Sequence, residues 1–251
     1  MSTVKGLGKI AIHKLPMLKI YSGRTPDKTK TVGDMFNGAN GNNYGSEAEF
    51  IAYAKFLRRS KFGANQSIEC FSPDNTTGFN GKKCATCNLR RSNENKDVPR
   101  AELCTDQVVY TIAPLNDPDD WMSLVFKGGG MKRATQLEKQ LMAQCLKAKT
   151  GISGVSFKLA TAIEKNQTHG STYWVFNIAP GSEVPVEQRE VFDKTSDEIS
   201  ESLAEEIEDF YKYARSSLGD MAEAGDDDEA GIPALTVDTP KRVKKDAAAL
   251  V

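Results

Sequence analysis

Four of the chain's five cysteines fall within one polar stretch, in the order Cys70, Cys84, Cys87 and Cys104. Two residues separate Cys84 from Cys87, a spacing that lets both thiolates turn onto one ion. Thirteen residues lie between Cys70 and this pair, and sixteen between the pair and Cys104. The interior is rich in Gly and Asn (Asn75, Gly78, Asn80, Gly81, Asn88) and has little to bury, so a crosslink explains how it folds. Four soft ligands suit a tetrahedral, closed zinc site. His13 and His169 are remote, and no carboxylate in the stretch stands out as a general base. The expectation is therefore one structural Zn2+ held by Cys70, Cys84, Cys87 and Cys104. Two disulfides, or free cysteines that merely cluster, are the alternatives. Met1-Ser-Thr-Val-Lys5 is followed by no apolar run, so no signal peptide is expected, which weighs against disulfides.

Charge is divided unevenly along the 251 residues. Residues 1–133 carry 20 Lys and Arg against 13 Asp and Glu, and residues 134–251 carry 13 against 21. A basic front half suits an anionic partner, and an acidic back half suits a mimic or repeller of it. Ordinary variation along a soluble chain is the plainer reading. No apolar run is long enough to span a membrane.

Residues 1–14 read as a flexible basic arm. A first strand is expected at Leu15–Tyr21 and a Gly-rich loop over 22–45. Ser46 and Glu49 fit a capping box opening a helix to about Phe62, with Phe50, Ala54 and Leu57 as its stripe. Lys55, Arg58, Arg59 and Lys61 crowd its end, complementing the helix dipole or facing a phosphate backbone. Gln107–Pro114 and Trp121–Lys127 read as a hairpin turned by Asp117-Pro-Asp-Asp120. Lys132–Lys149 reads as a helix with Cys145 on its packing stripe and Gly151 as its C-cap. Strands are expected at Ile152–Ile163 and Ser171–Ala179. A capped acidic helix is expected over 196–218, and a disordered tail over 219–251.

The expected fold class is α+β: a β-rich body spanning 15–195, with helical additions and a zinc insertion at 66–106. The chain contains no GxGxxG, Walker lysine motif or nucleophile elbow, so no residue nominates itself as a catalyst and no enzyme is expected. Strands with aromatics, scattered cations and an acidic tail suit single-stranded nucleic acid, whose backbone follows a positive groove while bases stack on rings. The candidate contacts are Lys55, Arg58, Arg59, Lys61, Lys82, Lys83, Arg90, Arg91, Trp121, Phe126, Trp174 and Phe176. Most strand aromatics are core, so only two or three rings are expected to touch a ligand.

On the four cysteines, the strand-rich body from Gln107 to Ala179 and the run Gly225-Asp-Asp-Asp-Glu229, the chain resembles the single-stranded DNA-binding proteins of tailed bacteriophages. The resemblance implies an OB-fold-like barrel with long insertions, a structural zinc, and a role in DNA replication and recombination. It also implies a cytoplasmic site of action in a bacterial host. An acidic tail that recruits replication proteins and competes with DNA is part of the same pattern. Here Lys241-Arg-Val-Lys-Lys245 and Ala-Ala-Ala-Leu-Val follow the acidic run, where such tails commonly end in acidic residues and an aromatic. Two rival classes stay open: a zinc-stapled protein-interaction adaptor, and a metal-dependent nucleic-acid enzyme using Asp117, Asp119 and Asp120.

Overall fold

A computed structural model describes residues 14–24, 26–62, 68–79, 81–87, 89, 103–165 and 170–222. The fold is α+β, with mostly antiparallel sheets and two helices. Strands β1 (Leu18–Ile20), β2 (Met35–Asn37) and β3 (Asn43–Gly45) form a small sheet in that order. The main sheet contains β4 (Glu47–Phe62), β5 (Ile68–Ser72), β6 (Thr105–Pro114), β7 (Met122–Lys127), β8 (Val155–Lys165) and β9 (Thr172–Glu183). Helix α1 (Met131–Ala148) lies between β7 and β8 in the chain, and α2 (Val186–Ala222) follows β9.

Strand β4 organises this sheet. The order is β7-β6-β4-β8-β9, with β5 pairing the end of β4. One edge of β4 meets β6 from Phe50↔Pro114 to Ser60↔Thr105. Its other edge is shared: Glu47–Ile51 pairs β8, and Arg59–Phe62 pairs β5. The expected helix at 46–62 is thus a strand of 16 residues. Its Ala, Leu, Lys and Arg favour a helix, but the run from Phe50 to Ala54 is apolar on both sides of the chain, and each side has a core to fill. Phe50 and Ala52 enter one core, while Ile51, Tyr53, Ala54 and Phe56 enter the other. Glu49 caps no helix; its carboxylate accepts hydrogen bonds from the Ser156 hydroxyl and the Ser182 backbone N–H.

The larger core lies between the strands and α1, where Leu137, Phe157, Leu159, Ile112, Met122 and Leu124 are fully buried. Helix α1 spans the expected helix and ends on Lys149 in the left-handed region (φ 53°), not on Gly151. One side of α1 serves the sheet's backbone. The Arg133 Nε donates to Phe176 O at 2.6 Å, while Gln136 and Gln140 donate to Ile178 O at 3.1 and 3.2 Å. Gln144 donates to Ser156 O at 3.2 Å and to Gly181 O at 3.3 Å. Carbonyls of β9, an end strand of the sheet, are thereby satisfied by side chains of α1. Cys145 packs half-buried against this core, as its stripe position implied.

Helix α2 covers the second core, on the opposite face of β4 and β6. Phe192, Ile199 and Leu203 pack there with Ile51, Tyr53, Phe56, Val109 and Ala113. The helix starts at Val186, ten residues before the expected 196, so residues 186–195 are helical and not part of a strand domain. Ser196 is an interior residue of α2, and its hydroxyl donates to Tyr53 O. Residues 219–222 also belong to α2, which corrects the tail boundary. The arm (residues 1–13) and the rest of the tail (residues 223–251) lie outside the described residues. The expected loop at 22–45 contains β2 and β3, and the first strand shortens to Leu18–Ile20.

Candidate nucleic-acid interface and cysteine cluster

The cysteine stretch is the connection between β4 and β6. Register places Cys70 on β5 opposite Lys61 of β4, while Thr105 opposes Ser60 from the other edge. Cys70 and Cys104 are therefore delivered to neighbouring positions by strands on either side of β4. The loop between them folds on itself through Gly78 N–H to Lys82 O at 3.0 Å and Cys84 N–H to Thr76 O at 2.7 Å. Its other end is held by Cys104 N–H to Leu89 O at 2.8 Å. Cys70 acts on both Cys84 and Cys104. The Cys104 thiol is raised well above the usual range, first by a hydrogen bond with Cys70, then by burial and the charges of Cys70 and Cys87. Burial raises Cys84 as well; Ser72 and Arg59 oppose that, while Cys70 adds to it. Among the described residues, no three His, Cys, Asp or Glu side chains are drawn into metal-ligand geometry.

Arg59 anchors this stretch to the main sheet. It is buried, its Nε donates to Asp106 Oδ1 at 2.6 Å and its Nη1 to Cys84 O at 3.2 Å. Arg58 donates through Nε to Gln107 at 2.6 Å. Lys55 pairs with Glu138 of α1. These cations, expected at a phosphate backbone, lie on a strand and are engaged within the chain. Lys82 and Lys83 lie exposed on the loop, Lys61 is half-buried, and Arg90 and Arg91 lie outside the described residues.

The expected aromatics separate by packing. Phe126 is buried in the larger core and edge-on to Tyr110, so it has no face to offer a base. Phe176 packs against the same core, and Trp121 packs under α2 with its Nε1 donating to Pro118 O at 2.7 Å. Trp174 is the one expected ring near the end of a hairpin, half-exposed on β9 opposite exposed Ile163 of β8. Gly33, in the β1–β2 connection, lies against it: a Cβ there would sit 2.8 Å from the Trp174 ring. The hairpin end also carries exposed Tyr173 and Lys165, and the β1–β2 connection brings exposed Arg24, Lys28 and Val32. Tyr173, the neighbour of Trp174 on the other strand face, hydrogen-bonds Glu164.

A second aromatic group escaped sequence reasoning. Phe71 and Phe79 of the cysteine stretch meet Phe210 of α2, with centroids 5.8 and 6.2 Å away, and Phe79 meets Tyr213 at 5.9 Å. Tyr211 donates its hydroxyl to Asp74 at 2.6 Å and receives Thr77 N–H at 3.3 Å. These residues are far apart in sequence; the aromatic spacing Phe210, Tyr211, Tyr213 in an otherwise acidic helix was the available signal. Asp120 is also committed to structure. Its carboxylate accepts from Asn37 at 2.7 Å, Asn40 at 3.0 Å, Asn42 at 2.9 Å and the Tyr44 hydroxyl. Scanned against protein-family models, curated proteins and solved structures, the chain matches none of them. Among the described residues, no helix is long and apolar enough to cross a membrane.

Proposed function

We propose that the chain is a sequence-tolerant single-stranded DNA-binding protein built on an OB-like barrel, with a zinc-stapled loop between its first two barrel strands. The observation that carries this is topological. Taking β4, β6, β7, β8 and β9 as barrel strands one to five, their order is three-two-one-four-five, with α1 between the third and fourth. The first strand is long and shared between both sides of the sheet, as a barrel of this connectivity requires. In OB-folds, the loops joining strands one and two and strands four and five frame the oligonucleotide site. Here the first is the cysteine stretch and the second is the β8–β9 end bearing Trp174. Helix α2 covers the outer face of β4 and β6, so a bound strand is routed over the hairpin end and the β1–β2 connection. Trp174 and Tyr173 offer ring surface there, and Arg24, Lys28 and Lys165 supply cations.

Cys70, Cys84, Cys87 and Cys104 suit one Zn2+, which would supply a crosslink and no chemistry. The fit lies in the donor set: register brings Cys70 and Cys104 together at the base of the loop, Cys84 and Cys87 are separated by two residues on it, and Arg59 fixes the backbone of Cys84. The reading as a metal-dependent enzyme finds little support in Asp120, whose two oxygens are occupied by four donors. Fluorescence anisotropy with labelled single- and double-stranded oligonucleotides tests the reading. Single strands should bind more tightly, with a log–log salt slope of about −0.7 per phosphate neutralised. Trp174→Ala should weaken binding at unchanged stability. Equal duplex binding, or a flat salt response, would sink the proposal.

A further inference from the structure

The outer side of α1 is apolar toward its C-terminal end and mostly basic around that patch, its nearby carboxylate Glu138 being held by Lys55. Met142 is 62% exposed and Leu146 75% exposed, one helical turn apart. They border a depression of about 630 Å³ lined also by Cys145, Lys149, Thr150, Gly151 and Asp193. Lys139, Lys147 and Lys149 stand exposed around the pair. Two large side chains left open at the rim of a cavity are unusual for a surface helix that spends its other residues on the core.

Helix α2 presents the complementary arrangement. Val191 is 40% exposed, and Glu187, Glu190 and Glu198 are exposed around it, with Lys194 paired to Glu198 at 3.7 Å. Asp193 lines the depression beside α1. Residues two apart on a helix point about 200° away from each other. Val191 therefore faces away from the depression in its own copy and cannot fill it. The chain carries both halves of a matched pair, on helix sides that do not face each other.

We propose that this protein associates head to tail, the apolar, basic face of α1 in one copy receiving Val191 and its surrounding carboxylates from α2 of the next. A contact between two different surfaces leaves one of each open at the ends, so it propagates into linear arrays and does not stop at a dimer. Charge complementarity sets the register, and the apolar centre supplies the attraction. The contact involves neither Cys70, Cys84, Cys87 and Cys104 nor the hairpin end, so it is independent of the nucleic-acid reading.

Sedimentation velocity of the full chain without nucleic acid tests it. At 50 mM salt the average sedimentation coefficient should rise with protein concentration, and 500 mM salt should return it toward the monomer. Leu146→Asp and Val191→Asp alter exposed positions, and circular dichroism should show both folded. Each variant alone should be monomeric, its dissociation constant raised at least tenfold. Mixed in equal amounts they should form a one-to-one dimer and nothing larger, because each retains the half that the other lacks. A wild-type chain monomeric throughout overturns the proposal, as does a variant that still associates or a mixture that fails to pair.

Discussion

Replacing Asp120 by Ala should destabilise the fold by about 3 kcal/mol at neutral pH, given that hydrogen bonds to a charged group are worth roughly 1.5–3 kcal/mol each when shielded. The four donors differ in what they lose. Asn37 is 1% exposed and keeps its amide buried, so its loss is nearly complete. Tyr44 is half-buried, its ring edge-on to Phe50 at 5.8 Å, and it loses an acceptor that water replaces in part. Asn40 and Asn42 are exposed and turn to solvent, adding roughly 0–1 kcal/mol together on the surface-pair scale. Asp120 ties the β2–β3 turn to the β6–β7 turn, so the loss also frees the small sheet. Burial raises the Asp120 pKa, but the bonds from Tyr44, Asn42, Asn40 and Asn37 outweigh it and leave it below the usual carboxylate value. A depressed folded pKa contributes stability above the unfolded value, near pH 4, and loses it as pH falls through the folded one. Urea unfolding followed by tryptophan fluorescence should show the full gap at pH 7 and a shrinking gap toward pH 3. A loss under about 0.5 kcal/mol, the ordinary range for surface changes, would refute the reasoning, as would a gap unchanged by acid.

Gly33→Ala should cost about 1–3 kcal/mol, since φ is +102° there and the new Cβ meets the Trp174 ring. In a Trp121→Phe background, the emission of Trp174 should shift with it; an unchanged spectrum would mean that the two do not touch in solution. Metal analysis of the reduced protein should find about one zinc per chain, with Cys84→Ser lowering it and Cys145→Ser leaving it unchanged. Chelation should speed proteolysis within the last turns of α2, because Phe210 and Tyr211 grip the cysteine stretch; unaltered cleavage would separate the two. Cutting the chain after Ala222 removes Glu223 and the Asp226–Glu229 run, and should tighten single-strand binding several-fold at low salt only. Weaker binding at every salt concentration would make those residues an attractive arm.

Helix α1 was legible because Leu137 and Leu141 repeat at helical spacing and Gly128–Gly130 precedes them. The two hairpins were legible because Val108, Tyr110 and Ile112 alternate and polar turns separate the runs. Strand β4 was not. Its residues suit a helix locally, and only two distant partners, β6 and β8, convert that run into a strand with two buried faces. Local capping signals at Ser46-Glu49 and Ser196 misled for the same reason: a capping side chain was consumed by tertiary contact, the Glu49 carboxylate by Ser156 and Ser182 and the Ser196 hydroxyl by Tyr53 O. The cationic run Lys55–Lys61 shows the limit most clearly. A helix would have put those cations on one face, whereas a strand sends Arg58 and Arg59 to opposite sides and into separate partners. The cysteine spacing was legible as far as the meeting of Cys70 and Cys104 at the base of the loop, which register accounts for.

The position of α2 bears on how the two halves of the candidate site can work together. Its middle fills the groove over β4 and β6 with Phe192, Ile199 and Leu203, and its far end is fastened to the cysteine stretch by Phe210 and Tyr211. The stretch is itself held to β4 by Arg59 through Asp106 and Cys84. Loop, strand and helix thus form a closed circuit, each contact supporting the next. The described part of that polar loop is held by this circuit. Its own sequence supplies the cysteines, β4 supplies the arginine, and α2 supplies the aromatics. An acidic helix fixed over the sheet also bars a polyanion from that face. On the proposed reading, nucleic acid would run along the side where Trp174, Arg24, Lys28 and Lys165 stand, and the carboxylates of α2 would be left for the basic face of α1 in a neighbouring copy.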